Sequence, residues 1–318
     1  MPRFGGIVAH LIVGSKHEPY LSAALESIAD VCDHAVVNDN SGADQSENCE
    51  LILRSRLARS GRLTLVRTSF VDFATARNAC IEATPARFHS GWALFVDADE
   101  VHGEELPAMA SLLPSLPDHV EAVDGYSRHF VGSFSWWMAI ERRQCFFRLR
   151  RRPRWHGRIH ERLAPLGDRV VLPAVWFHYG HVVMPQAEAE KSRLYASLGQ
   201  KGIAPGAAQV SGATPASVWS RLLKDANRFT GEHPSPAAGT IERLTGERKH
   251  IFADVDALAQ RQNLHDRLRN CIRQVNYSRL LAWRGAQARL RWGWPDCHAP
   301  AAAAPPARET LRVSNAGA

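Results

Sequence analysis

Two aspartates one residue apart, Asp97 and Asp99, close the apolar run Leu94-Phe95-Val96, and Glu100 follows directly. Carboxylates this close repel one another unless a cation or a hydrogen-bonding ligand lies between them, so the pattern points to a divalent ion or a donor-rich ligand. A short apolar run of this kind reads as a buried parallel strand, and ligands bind at the carboxyl ends of such strands in open α/β sheets. A competing reading makes the two aspartates caps of the helix suggested by Glu104 to Leu113, because acids favour a helix start.

Other segments carry chemistry in the same order along the chain. Glu18 follows the first strand-like run, and Asp39 lies in Asn38-Asp39-Asn40-Ser41-Gly42-Ala43-Asp44 after the second. Strand ends of an open parallel sheet line one crevice, so Asp39 and Asp97 are expected to be neighbours. Asp39 offers an acceptor to an imide N–H or a sugar hydroxyl, or else merely shapes a polar turn. Arg77 and Asn78, near the start of a helix beginning at Phe73, could donate to a diphosphate. Glu161, at the end of Trp155-His156-Gly157-Arg158-Ile159-His160-Glu161, is a candidate base, with an Arg158/Glu161 ion pair as its structural alternative. His178, in Phe177-His178-Tyr179-Gly180-His181, could join a metal shell, and His181 is a weaker candidate. Nine arginines between Arg142 and Arg162 are expected to be mostly solvated, with one or two in the site.

The elements that must position these residues read as α/β. Strand-like runs at Ile7 to Val13, Ala35 to Val37, Leu63 to Arg67 and Trp92 to Val96 alternate with helical patterns at Tyr20 to Val31, Ser46 to Ala58 and Phe73 to Ala83. Such alternation implies βαβ units and a mostly parallel sheet. Strands at Val123 to Val131, Cys145 to Leu149 and Val170 to Phe177 follow. Helices are then expected over Gln186 to Leu198, Ala216 to Phe229 and Asp254 to Arg291, with a Gly/Pro-rich break between Gly202 and Pro215. The Ala/Pro-rich stretch from 295 is expected to be disordered. Three units are thus expected: a catalytic region over 1–185, a helical region over 186–294 and a tail over 295–318.

With 318 residues, 45% of them hydrophobic, the chain can bury a sizeable core. Six scattered cysteines without a Cys-x-x-Cys pair exclude a zinc knuckle and a dense disulfide framework, and most are expected to be buried thiols. A net charge of +7 suits an anionic partner. No apolar run is long enough to span a bilayer and no signal region opens the chain, so a cytoplasmic location is expected.

Taken in order, Ser15 to Glu18, Val36 to Asp44, Phe73 to Asn78, Trp92 to Glu100, Phe146 to Arg150 and Trp155 to Glu161 resemble the family 2 glycosyltransferases. The resemblance is closest to the branch with lipopolysaccharide-core glucosyltransferases and covers roughly residues 5 to 200. It implies a GT-A (Rossmann-like) fold with a helical C-terminal extension, and inverting transfer of a sugar from a nucleotide-diphosphate donor to a saccharide or lipid-linked acceptor. By that resemblance Asp39 contacts the base, Asp97 the ribose, and Asp99 a divalent metal (Mn²⁺ or Mg²⁺), with His178 completing its shell. Glu18, Arg77 and Asn78 join the donor site, and Glu161 is the general base positioned by His160.

Two other classes compete. A metal-dependent hydrolase could use His156, His160, His178 and His181 with the aspartates, but His-Glu-x-x-His helical spacing is missing. A nucleic-acid-binding protein could use Trp283, Trp292 and Trp294 among Arg279, Arg284, Arg289 and Arg291, but no module is recognisable and no nucleic-acid partner is expected. The same Arg279 to Trp294 stretch, with Leu280, Leu281 and Leu290, either packs on the catalytic region or attaches the chain peripherally to an anionic membrane.

Overall fold

The computed structural model describes residues 5–42, 46–199 and 222–295. Asp44, Cys297, the break at 202–215, the first part of the helix expected from Ala216 and the tail beyond 295 lie outside the described residues.

β1 (Ile7–Val13), β2 (His34–Asp39), β3 (Leu63–Arg67) and β4 (Trp92–Asp97) form the parallel half of the main sheet in the order β3-β2-β1-β4. Alternate residues of β1 serve two cores: Ala9 and Leu11 enter one, and Val8 the other. Burial on both faces is why this strand is an almost unbroken apolar run. The sheet continues through β7 (Ser133–Arg148), β6 (Val120–Val131) and β10 (Asp168–His181) to β5 (Glu100–Val101), with β11 (Asn227–Arg228) added on β7. The sheet expected to be mostly parallel is parallel over β3-β2-β1-β4 and β6-β10 and antiparallel where β7, β5 and β11 join, which makes it the mixed sheet of a Rossmann-like GT-A fold, flanked by helices and followed by a long C-terminal helix. β8 (Arg154–His156) and β9 (Arg162–Ala164) form a separate hairpin.

Two expected helices are each divided, and both divisions have a local cause. The stretch from Ser46 splits into Glu47–Leu53 and Arg56–Arg59, because the Ser55 side chain accepts from the Ala58 N–H and caps a new start. The stretch from Asp254 splits into Lys249–Gln260 and Leu264–Trp292, the latter capped by Asn263 through the Asp266 N–H. Within the last helix Leu280, Leu281 and Trp292 pack on a core, and Trp294 beyond it is buried, so the packing reading holds for those four. Trp283 and Leu290 are exposed. Cys32, Cys49, Cys80 and Cys145 are buried free thiols and Cys271 is an exposed one. Among the described residues no helix is long and apolar enough to cross a membrane.

Candidate functional site

The parallel strands deliver Glu18, Asp39 and Asp97 to one end of the sheet. Ile12 of β1 aligns with Asp97 on one side and Asn38 on the other, while Asp39 aligns with Val13. Because side chains alternate along a strand, Asp39 and Asp97 point to opposite faces. They share an end of the sheet but are not side-by-side neighbours. Asp39 is fully buried and accepts from the Ser41 N–H and the Ser46 hydroxyl, an Asx turn leading into the next helix.

β4 pairs with β7 only over Trp92–Leu94, and beyond this the chain turns through Asp97-Ala98-Asp99 to reach β10 as β5. The following helix, Glu105–Leu112, has no side-chain cap, so neither aspartate serves as one. Asp97 lies between two arginines: Arg77 Nη2 donates to Oδ1 at 2.7 Å and Arg143 Nη2 to Oδ2 at 3.0 Å. Burial by itself raises the Asp97 pKa, but the two guanidiniums outweigh it and hold the carboxyl well below the usual range.

Arg77 also donates through Nε to Glu161, and so joins residues 84 positions apart. Its helix, Phe73–Glu82, starts at an Asp72 cap that accepts from the Thr75 N–H. The guanidinium lies 4.2 Å from the Phe95 ring and 5.6 Å from the Trp155 ring, which shield it from water. Asn78 Nδ2 donates to the Trp155 carbonyl and its Oδ1 accepts from the Trp155 N–H, both at 2.9 Å. That amide pins the hairpin carrying Glu161 and is thereby spent. The partner of Glu161 is Arg77 rather than Arg158, and His160 is exposed with a left-handed backbone at φ 50°.

Asp99 meets His178, with Nε2 and Oδ1 3.4 Å apart. The parallel register of β6 and β10 sets His129 beside His178, and β5 sets Glu100 on its other side. His129, His178 and His181 each offer a ring nitrogen within 4.8 Å of the others. Burial, then Lys191 and His181, drives His178 well below its ordinary pKa. His129 falls to about 2, from burial and then from the two neighbouring histidines. Neutral imidazoles are the form that binds metal. Among the described residues His178 Nδ1 is buried without a hydrogen-bond partner, and His129 Nε2 has none either, the Glu141 carboxylate lying 3.5 Å away. At Gly180 an added Cβ would collide with Asp99 and lie 2.6 Å from His178 Cε1, so only glycine leaves this space open. Orphaned imidazole nitrogens, a carboxylate and a space that a Cβ would fill suit a divalent cation.

Buried acids surround the cluster. Glu100 is 1% exposed, accepts from the Ser127 hydroxyl, and is pushed up to about 7 by burial and then by Asp97. Asp99 is raised by burial, with Asp97 adding to this and Lys191 opposing it. Glu18, which caps the turn at the Tyr20 N–H, is raised by burial and then by Asp99. Lys191 comes from the helix Pro185–Ser197; burial favours its neutral form, yet Asp99 and other acids hold it up at about 12. His129, Arg143 and Lys191 are the members of the site that sequence reasoning did not single out. The spacing of Glu188, Lys191 and Tyr195 on one helical face was the available signal for Lys191.

The profile described as glycosyl transferase family 2 matches residues 11–172, just over half of the chain. No curated protein sequence matches it. Among solved structures, the chain is similar to the mannosyltransferase PcManGT of Pyrobaculum calidifontis in complex with GDP-Man and Mn²⁺, at 13% identity and TM-score 0.40, covering 90% of this chain and 87% of that one. It is also similar to residues 1–349 of S. aureus TarS, at 12% identity and TM-score 0.37, covering 80% and 88%. Likeness at this level bears on neither donor nor metal.

Proposed function

The chain belongs to glycosyl transferase family 2, and from that premise we propose that it is a metal-dependent inverting enzyme that moves a sugar from a nucleotide-diphosphate donor to a hydroxyl of a saccharide or lipid-linked acceptor. The observation that carries this reading is the Arg77 fork, which holds Glu161 against the end of β4, two residues from Asp99 and its histidines.

In the proposed reaction the acceptor oxygen attacks the anomeric carbon, the bond to the diphosphate oxygen breaks on the opposite side, and the acceptor proton passes to the Glu161 carboxylate. Arg77 positions that base, and Asn78 positions the hairpin that bears it. Asp97, already in its ionised, accepting form, faces the nucleoside, while Asp39 shapes the turn at the same end of the sheet from the opposite face. Asp99 and His178, with His129 and His181, would hold the divalent ion. Such an ion supplies positive charge for the leaving diphosphate, and an imidazole-rich set suits Mn²⁺ better than Mg²⁺. Glu18 and Lys191 complete the rim, Lys191 as a cation for phosphate. A cell-envelope acceptor made at the cytoplasmic face of a membrane agrees with the family branch the sequence resembles.

The test combines thermal shift with a transfer assay. A nucleoside diphosphate should raise the melting temperature when Mn²⁺ is present and much less without it, since only native-state binding adds stability. Glu161→Gln should keep that shift and lose about 10² to 10⁴ in turnover. Absence of any shift with uridine or guanosine diphosphate plus metal overturns the donor reading; near wild-type turnover in the variant overturns the base.

A further inference from the structure

The helix Leu264–Trp292 buries one face and exposes a second apolar face that no described residue covers. Inward, Tyr277, Leu280 and Leu281 pack against the core and Ala288 is buried. Gly285 brings the helix close to Pro173, where an added Cβ would lie 4.0 Å from its Cγ. Outward, Leu264, Leu268, Ile272, Val275, Trp283 and Leu290 are all exposed, Leu290 at 90%. At 100° per residue these six fall within an arc of about 100°, a single stripe running the length of a helix about 44 Å long. The arrangement differs from the Arg279 to Trp294 cluster read from sequence, since Leu280, Leu281, Trp292 and Trp294 belong to the packed side.

Charge decides between possible occupants. The helix holds seven arginines and one acid, Asp266, which is buried and paired with Arg269. Arg267 and Arg291 are exposed to either side of the stripe and Arg279 is exposed within its arc, and the helix itself sets no acid among them. A second copy of the same helix would set arginines against arginines, an arrangement that opposes pairing. An anionic lipid surface complements the flanks and accepts the apolar stripe, with Trp283 suited to the headgroup level. We propose that this outward face lies on an anionic bilayer and holds the catalytic cleft close to a membrane.

The test is co-sedimentation of the full chain with vesicles of phosphatidylcholine alone and of phosphatidylcholine mixed with phosphatidylglycerol. Binding is expected to the mixed vesicles only, and to weaken as salt rises. Replacing Leu268, Ile272 and Leu290 together by serine should reduce it on the order of tenfold or more, as should Arg279→Gln with Arg291→Gln. These positions are exposed, so the melting temperature and the turnover of soluble donor should not change in either variant. The proposal is overturned if the full chain stays in the supernatant with mixed vesicles, or if the serine variant sediments like the parent. It is equally overturned if light scattering finds a dimer that the serine variant dissolves, for then a second copy covers the stripe. Vesicle binding is read without sugar transfer, so failure here leaves the proposed reaction standing, and the reverse also holds.

Discussion

Arg77 satisfies two acids at once from a position that is almost fully buried, and this makes it the most exposed point of failure in the site. Arg77→Met leaves Asp97 and Glu161 with buried charge and one partner fewer, so an unfolding free energy lower by about 3–5 kcal/mol is expected in denaturant titration. Arg77→Lys should restore little, because an ammonium cannot present the two arms of a guanidinium to two carboxylates. Recovery of both stability and turnover by lysine would show that charge alone suffices. Gly180→Ala acts on the neighbouring cluster. Its Cβ would displace Asp99 and His178, so Mn²⁺ should no longer raise the melting temperature, while far-ultraviolet circular dichroism stays as in the parent.

Between residue and fold, the β8–β9 hairpin and the helix Phe73–Glu82 act as one unit because Asn78 closes on both backbone groups of Trp155. Asn78→Ala strands that N–H and carbonyl, at a cost of about 1–3 kcal/mol. It should also lower kcat while leaving nucleotide affinity close to the parent, since the hairpin carries the base and not the donor contacts. A fall in nucleotide affinity with unchanged kcat would return Asn78 to the diphosphate. Strand pairing did equal work elsewhere: the β6/β10 register alone makes His129 a neighbour of His178.

For the whole molecule, acid sensitivity follows from histidines buried in neutral form. Burial drives His10 and His102 to about 3; His10 bonds Thr84, and His102 stacks on Trp176, its Nε2 without a hydrogen-bond partner among the described residues. The unfolded chain takes protons at these sites below its ordinary value of 6.5, and the folded chain does not until about pH 3. Stability is therefore fully present above 6.5 and lost as pH falls towards 3, by about 2 kcal/mol per histidine at pH 5. His102→Phe keeps the stack and removes the titration, so denaturant melts between pH 7 and 4 should give a shallower slope than the parent. An unchanged slope would assign the acid sensitivity to other groups.

Local pattern and chain order were enough to read the strands Ile7–Val13 and Leu63–Arg67, the helix from Phe73 and the acids closing Trp92–Asp97. Those features depend on burial periodicity and on the abrupt change from apolar to charged residues, which a linear string records. The two helix divisions were also written there, in Ser55 and Asn263, but a cap inside a continuing helical pattern is outweighed by the pattern. Only the tertiary structure decided that Arg77 reaches Glu161, that His129 joins His178, and that Asp39 and Asp97 lie on opposite faces. Each of these depends on strand register or on a contact between distant segments. A shift of one residue in register would turn the strand-borne His129, His178, Asp39 or Asp97 to the other face, and no spacing within a single segment carries that information or the Arg77–Glu161 contact.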